Sequence, residues 1–173
     1  MSKMTEPALE VLEHHHEQAF KWAMSCCNYD REEAKDLMQS VYVEIISKKA
    51  VFRGESSLLT WLYTIIHRIG WRQSKKHKIS CSSEKWMNTV RELSGNFCEA
   101  SKQIKNQQQS EDILVALKTL SVQQRQMIEL VYYRDFTIEE AASITGSRLG
   151  TARTHFHRAK QNLAKSLKHL KEL

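Results

Sequence analysis

Apolar positions along this chain recur every third or fourth residue and almost nowhere alternate in the two-residue rhythm of a strand. In residues 8–27, Leu9, Leu12, Ala19, Phe20, Ala23 and Met24 predict a first helix. Asn28-Tyr29-Asp30 then reads as a turn, with Asp30 placed to cap a second helix that runs to about Lys49. Ala34, Leu37, Met38, Val41, Tyr42 and Ile45 form its inner stripe, while Asp36, Gln39, Ser40, Val43 and Ser47 fall opposite. Such a polar face is either solvated or a partner surface, and the apolar Val43 within it hints at the second. Phe52–Ser57 predicts a loop in which Gly54 makes the turn and Ser56 or Ser57 caps the next helix. That third helix, Leu58 to about Lys78, turns Leu58, Trp61, Leu62, Ile65, Ile66 and Ile69 inward. It turns Thr60, Thr64, His67, Trp71 and Lys75 outward, with Arg68 and Arg72 at the edges.

The rhythm lapses over 79–110, where 13 of 32 residues are Ser, Asn or Gln, and this stretch reads as a flexible linker. Periodicity returns with Ile113, Leu114 and Leu117, and Ser121-Val122-Gln123-Gln124 has the form of a capping box. The box opens a helix through Met127, Ile128, Val131 and Tyr132. A second box, Thr137-Ile138-Glu139-Glu140, starts a short helix with the small apolar face Ala141, Ala142 and Ile144. Thr145-Gly146-Ser147 breaks it: Gly146 is free to take a positive φ, and Ser147 is able to cap the last helix. At 100° per residue that last helix gathers Leu149, Ala152, Phe156, Ala159 and Leu163 on one side, continued by Leu167 and Leu170. Thr151, Thr154, His157 and Arg158 take the other side, with Arg148, Arg153 and His155 on the flanks. A short helix, a glycine turn and a basic helix with outward donors make the pattern of a helix-turn-helix DNA reader.

Composition agrees with an all-α chain: there is one proline and there are five glycines in 173 residues, and the 41% apolar content suffices for a core. The expected organisation is two small helical domains, 1–78 and 111–173, on the 79–110 linker. Charge is uneven. Residues 1–50 carry 6 basic and 9 acidic side chains, 51–110 carry 10 and 4, and 111–173 carry 10 and 7. An acidic front followed by two basic regions points to different partners on different surfaces, nucleic acid among them. The sequence shows no secretory leader and no run of about 18 apolar residues, so a cytoplasmic protein without membrane insertion is expected.

Candidate chemistry is sparse. Cys26, Cys27, Cys81 and Cys98 have no C-x-x-C spacing and read as reduced thiols, with Cys26-Cys27 packing at a helix end. His14, His15 and His16 point about 100° apart on a helix, and His155 and His157 diverge by about 200°, so neither group converges on a metal. No phosphate loop, H-E-x-x-H motif or activated nucleophile is present, so neither an enzyme nor a cofactor or metal site is expected. Trp71 among Arg68, Arg72 and Lys75 is open to two readings. It either packs on its neighbours or offers an unstacked base a flat ring beside cations.

Two stretches together resemble a family. Asp36–Lys78, with D-L-x-Q and F-R-G-E-S-x-x-x-T-W-L-Y, looks like region 2 of the sigma-70 superfamily, a helical bundle. Leu117–Lys160, with its helix-turn-helix and G-T-x-x-[ST], looks like region 4. The short length resembles the extracytoplasmic-function (ECF) group. The resemblance implies an initiation factor that binds core RNA polymerase, recognises promoter −35 and −10 elements and starts melting. In the family the D-L-x-Q helix docks on the β′ clamp helices, which carries onto Asp36, Leu37 and Gln39, with Val43 on the same face. Capture of −10 bases from the single-stranded non-template strand carries onto Arg53, Ser56, Ser57, Leu58, Arg68, Trp71, Arg72 and Lys75. Reading of the duplex −35 element carries onto Arg153, Thr154, His157 and Arg158, with Arg148 and Thr151 beside them.

The resemblance further implies that the polymerase β flap holds the second domain. The linker would thread toward the active-site and RNA-exit channels, and an anti-sigma factor would be a regulatory partner, holding the chain at the inner membrane in some members. The chain departs from the usual pattern in having Leu120-Ser121 for Leu-Pro, Arg148-Leu149 before Gly-Thr, Asp135 for a turn glycine and Arg68 where relatives often place asparagine. The competing reading is a dimeric helix-turn-helix regulator without sigma activity.

Overall fold

The computed structural model describes residues 14–76, 116–117 and 119–171, with side chains described through Ser74 in the first segment and Lys168 in the last. The 79–110 linker, Leu9, Leu12, Ile113, Leu114, Cys81 and Cys98 lie outside the described residues, as do the side chains of Lys75 and Leu170. Every regular element among those described is helical. They are α1 (His16–Cys26), α2 (Arg31–Ile46), α3 (Leu58–Lys76), α4 (Val122–Ile128), α5 (Ile138–Thr145) and α6 (Leu149–Lys171), with a π-helical turn, Glu129–Tyr133, continuing α4. The chain divides into two compact units.

In the first unit α1, α2 and α3 pack pairwise into a three-helix bundle. Asp30 caps α2, its Oδ1 accepting the amides of Glu32 at 3.1 Å and Glu33 at 3.2 Å. Ser57 caps α3, its Oγ accepting the Thr60 amide at 3.1 Å. At Gly70 the three helices approach closely: a Cβ there would lie 3.1 Å from Leu37 Cδ2 and 3.2 Å from Cys26 Cβ. Among the described residues the largest fully buried side chain is Trp22, stacked on Tyr63 at 5.9 Å between ring centroids and donating its indole N–H to the Tyr63 carbonyl at 3.2 Å.

Trp22, three residues past Ala19 and so near its face, is fully buried and central to the core; Phe20 is half-buried. Thr60, outward by projection, is buried, its hydroxyl hydrogen-bonded with Ser57 Oγ at 2.7 Å in the first turn of α3. Tyr63 is buried in the core, whereas Trp61 is half-buried and meets Phe52 edge-on at 5.6 Å.

At the end of α1 the Cys27 thiol is pushed up to about 12, first by burial and then by the charges of Glu33 and Asp30. The rise from an ordinary value of 9.0 lowers the thiolate fraction near neutral pH about a thousandfold. Alkylation at Cys27, followed by peptide mapping, should therefore lag a free thiol by about that factor at mildly basic pH, and recover on unfolding. A native rate equal to that of a free thiol would contradict the packing described.

In the second unit both capping boxes form. Ser121 Oγ accepts the Gln124 amide at 3.3 Å, and Gln124 Oε1 accepts the Ser121 amide at 3.3 Å. Thr137 Oγ1 accepts the Glu140 amide at 3.2 Å, and Glu140 Oε2 accepts the Thr137 amide at 2.9 Å. Between them the chain makes the π-helical turn and returns through Asp135, whose φ of +55° takes the left-handed conformation a glycine would favour. The Phe136 amide closes the corner onto the Leu130 carbonyl at 3.0 Å.

Within this wider turn Tyr132 is exposed and packs its ring against Phe156 at 5.5 Å. Gly146 has φ +63°, ending α5 as expected. Because α6 begins at Leu149, Arg148 rather than Ser147 occupies the capping position. Leu149, in that first turn, is exposed rather than inward, while Ala152 and Ala159 are fully buried where α6 packs on α4.

Candidate nucleic-acid and polymerase interface

Four surfaces carry the residues singled out in the sequence. On α2, Asp36, Gln39 and Val43 are exposed together, as their spacing requires. Leu37 is fully buried against the Gly70 turn, so it cannot meet a partner directly; its part is to seat α2 on α3. Ile46, at 62% exposed, lies beside Val43, at 61%, and Val51 in the loop that follows is 50% exposed. Ile46 lies three residues past Val43, a spacing that puts two side chains on one helical face.

The loop before α3 exposes Arg53 and Ser56 around Gly54, which has φ +78°. Ser57 lies on the same loop, but its hydroxyl is engaged in the α3 cap, and Leu58 is half-buried. Farther along α3, Trp71 is 56% exposed, so its ring is not part of the bundle core. Arg68 and Arg72 stand on either side of it in sequence, both ion-paired to Glu44 of α2. The ring and the two guanidiniums are thus brought together on one surface. The Lys75 side chain lies outside the described residues.

On α6, Arg148, Thr151, Arg153, Thr154, His157 and Arg158 are all exposed. Thr154 Oγ1 donates to the Gly150 carbonyl at 2.9 Å, which fixes its rotamer. His157 Nε2 lies 3.0 Å from Gln161 Nε2. Arg153 Nη2 donates to Glu139 Oε1 of α5 at 3.0 Å, tying the two helices of the motif together. The Glu139 carboxyl is held below the usual carboxylate range by its hydrogen bond with its own backbone amide and then by Arg153. Arg158 meets no acidic partner among the described residues and projects its charge outward.

Among the described residues no group of three or more His, Cys, Asp or Glu is arranged to hold a metal, and no helix is long and apolar enough to cross a membrane. What the geometry offers is donors and a ring on two basic surfaces, and an apolar-polar face on a third.

Residues 11–78 match the family description Sigma-70 region 2, and residues 110–163 match Sigma-70, region 4. The chain is 32% identical over 139 residues to RNA polymerase sigma factor YlaC of Bacillus subtilis (strain 168), covering 79% of this chain and 78% of that one. It is 25% identical over 155 residues to ECF RNA polymerase sigma factor SigX of the same organism, covering 83% and 75%. In fold it is similar to the sigma factor RpoE from Bartonella quintana, solved with the anti-sigma factor NepR. The TM-score there is 0.63 at 24% identity, over 97% of this chain and 98% of that one. The chain belongs to the sigma-70 family of RNA polymerase sigma factors, in its ECF group. Such proteins are transcription initiation factors.

Proposed function

We propose that this sigma factor divides promoter recognition between its two units, with core polymerase bridging them. The domain limits would be 1–78 and 111–173, joined by 79–110. One observation carries the division: a helix-turn-helix face of Thr151, Thr154, His157 and Arg158 shares a chain with a separate bundle that displays Trp71 beside two arginines. The first suits duplex base edges and phosphates; the second suits an unpaired strand.

In this reading Asp36, Gln39 and Val43 dock on the β′ clamp helices, with Ile46 extending the contact. The loop at Arg53, Ser56 and Ser57 receives a flipped −10 base, and Trp71, Arg68, Arg72 and Lys75 hold the strand beyond it. On α6, Arg148, Thr151, Arg153, Thr154, His157 and Arg158 read the −35 element, and the apolar side of that unit meets the β flap. The factor has no catalytic activity of its own; it acts by binding free energy, and chain synthesis belongs to the polymerase. It works in the cytoplasm, and an anti-sigma factor covering these faces would hold it inactive. A dimeric regulator leaves the stretch matched to region 2 without a task.

Co-elution with core polymerase tests the reading. The purified chain should form a one-to-one complex, and replacement of Asp36 and Gln39 by alanine together should weaken it. Failure to bind core would overturn the proposal. Arg158→Ala should lower affinity for a duplex carrying the −35 element by about 1–3 kcal/mol, roughly 5- to 150-fold. The check is a titration against intact and scrambled duplexes, with the loss confined to the intact one. Equal loss on both would make Arg158 a phosphate anchor rather than a base reader.

A further inference from the structure

Glu44 takes part in no role assigned above, yet it is the point at which α2 touches both arginines of the strand-binding surface. Its Oε2 accepts from Arg68 Nη2 at 2.7 Å, and its Oε1 accepts from Arg72 Nη2. The Glu44 side chain is 18% exposed, against 53% for Arg68 and 55% for Arg72, so the carboxylate lies beneath and the guanidiniums face outward. Beside this trio, Gln73 Nε2 donates to Ser40 Oγ at 3.1 Å, fixing the same seam between the helices.

Two arginines four residues apart on a helix repel each other. A shared carboxylate reverses that: it holds the pair together on the α2–α3 seam and leaves three charged groups with a net charge of only +1. Each guanidinium gives one of its five N–H groups to Glu44 and keeps others for a strand.

We infer that Glu44 is a specificity-determining residue for strand capture. It removes one unit of sequence-independent phosphate attraction from α3 and fixes its two cations, so that holding a strand depends more on the unstacked base. The inference rests on the reading of α3 as the strand-binding helix. Phosphate attraction is the part of nucleic-acid affinity that ignores sequence, and its strength is read directly from the salt dependence of binding.

The experiment is fluorescence anisotropy of a labelled thymidine homo-oligonucleotide with the full-length chain, titrated across a salt series. Glu44→Gln should bind several-fold more tightly at low salt, with a log–log salt slope steeper by about 0.7, the increment for one more single-strand phosphate neutralised. Glu44→Ala, which leaves no amide behind, should give the same slope, and Glu44→Asp should return it to the wild-type value. In holoenzyme, Glu44→Gln should also lose several-fold in its preference for a promoter's non-template strand over the scrambled strand. An unchanged or shallower slope, or an unchanged preference, overturns the inference. Permanganate reactivity of holoenzyme carrying Trp71→Ala tests the strand-binding reading without any Glu44 variant, so either can fail while the other stands.

Discussion

Trp22→Ala should unfold the first helical unit at ambient temperature. The side chain is fully buried, and its ring stacks on Tyr63 and on His67 at 5.9 and 6.2 Å between centroids. Truncating a buried tryptophan costs about 3–5 kcal/mol, part of it from the cavity left behind. Here a lost indole N–H donor to the Tyr63 carbonyl adds to that cost. Small domains hold only about 5–15 kcal/mol of stability in total, and a three-helix unit sits at the low end of that range. Urea unfolding followed by far-ultraviolet circular dichroism should show the first transition moved to near zero denaturant, with the helix-turn-helix unit retained. Trp22→Phe, which refills most of the volume, should recover a large part of the loss. A variant with Ala at this position and an unshifted transition would mean that the core is not centred where the bundle places it.

Trp71→Ala is expected to do the opposite: little to stability and much to function. A residue 56% exposed on a helix face changes folding by no more than about 0.5 kcal/mol when truncated. Stacking of one base on an aromatic ring is worth about 1–3 kcal/mol, so promoter opening should fall roughly 5- to 150-fold. Closed-complex affinity, set by polymerase and the −35 contacts, should be nearly unchanged. The two steps are separated by comparing duplex binding with permanganate reactivity of unpaired thymines in the same holoenzyme. Equal losses in both would remove Trp71 from strand capture.

These two tryptophans show where sequence reasoning reaches. Local chemistry was legible: Asp30, Ser121 with Gln124, and Thr137 with Glu140 all form the caps their spacing implies, because each involves residues within three positions. The outward set Thr151, Thr154, His157 and Arg158 was legible because a straight helix repeats faithfully. Periodicity also placed Leu37 inside, and the buried side chain agrees with it against the motif-based role at the polymerase surface.

What was not legible depends on other elements. The π-helical turn at Glu129–Tyr133 alters the phase of everything just after it, and no residue in that stretch announces it. Thr60 is inside because Ser57 draws its hydroxyl into the cap. The bond between Glu44 and two arginines more than twenty positions away exists only once α2 and α3 are packed. Projection of α3 by itself puts Arg68 and Arg72 at its edges; tertiary contact makes them a held pair.

The central claim is that one chain reads two promoter elements through polymerase. The most direct test is run-off transcription by core polymerase plus the purified chain, on a promoter the holoenzyme selects. Three templates suffice: intact, with the −35 element scrambled, and with the −10 element scrambled. The account predicts a transcript that needs the chain, is strong on the intact template and is nearly lost on each scrambled one, at one chain per polymerase. Core-independent binding of a dimer to a palindrome, with no transcript from any template, would contradict it.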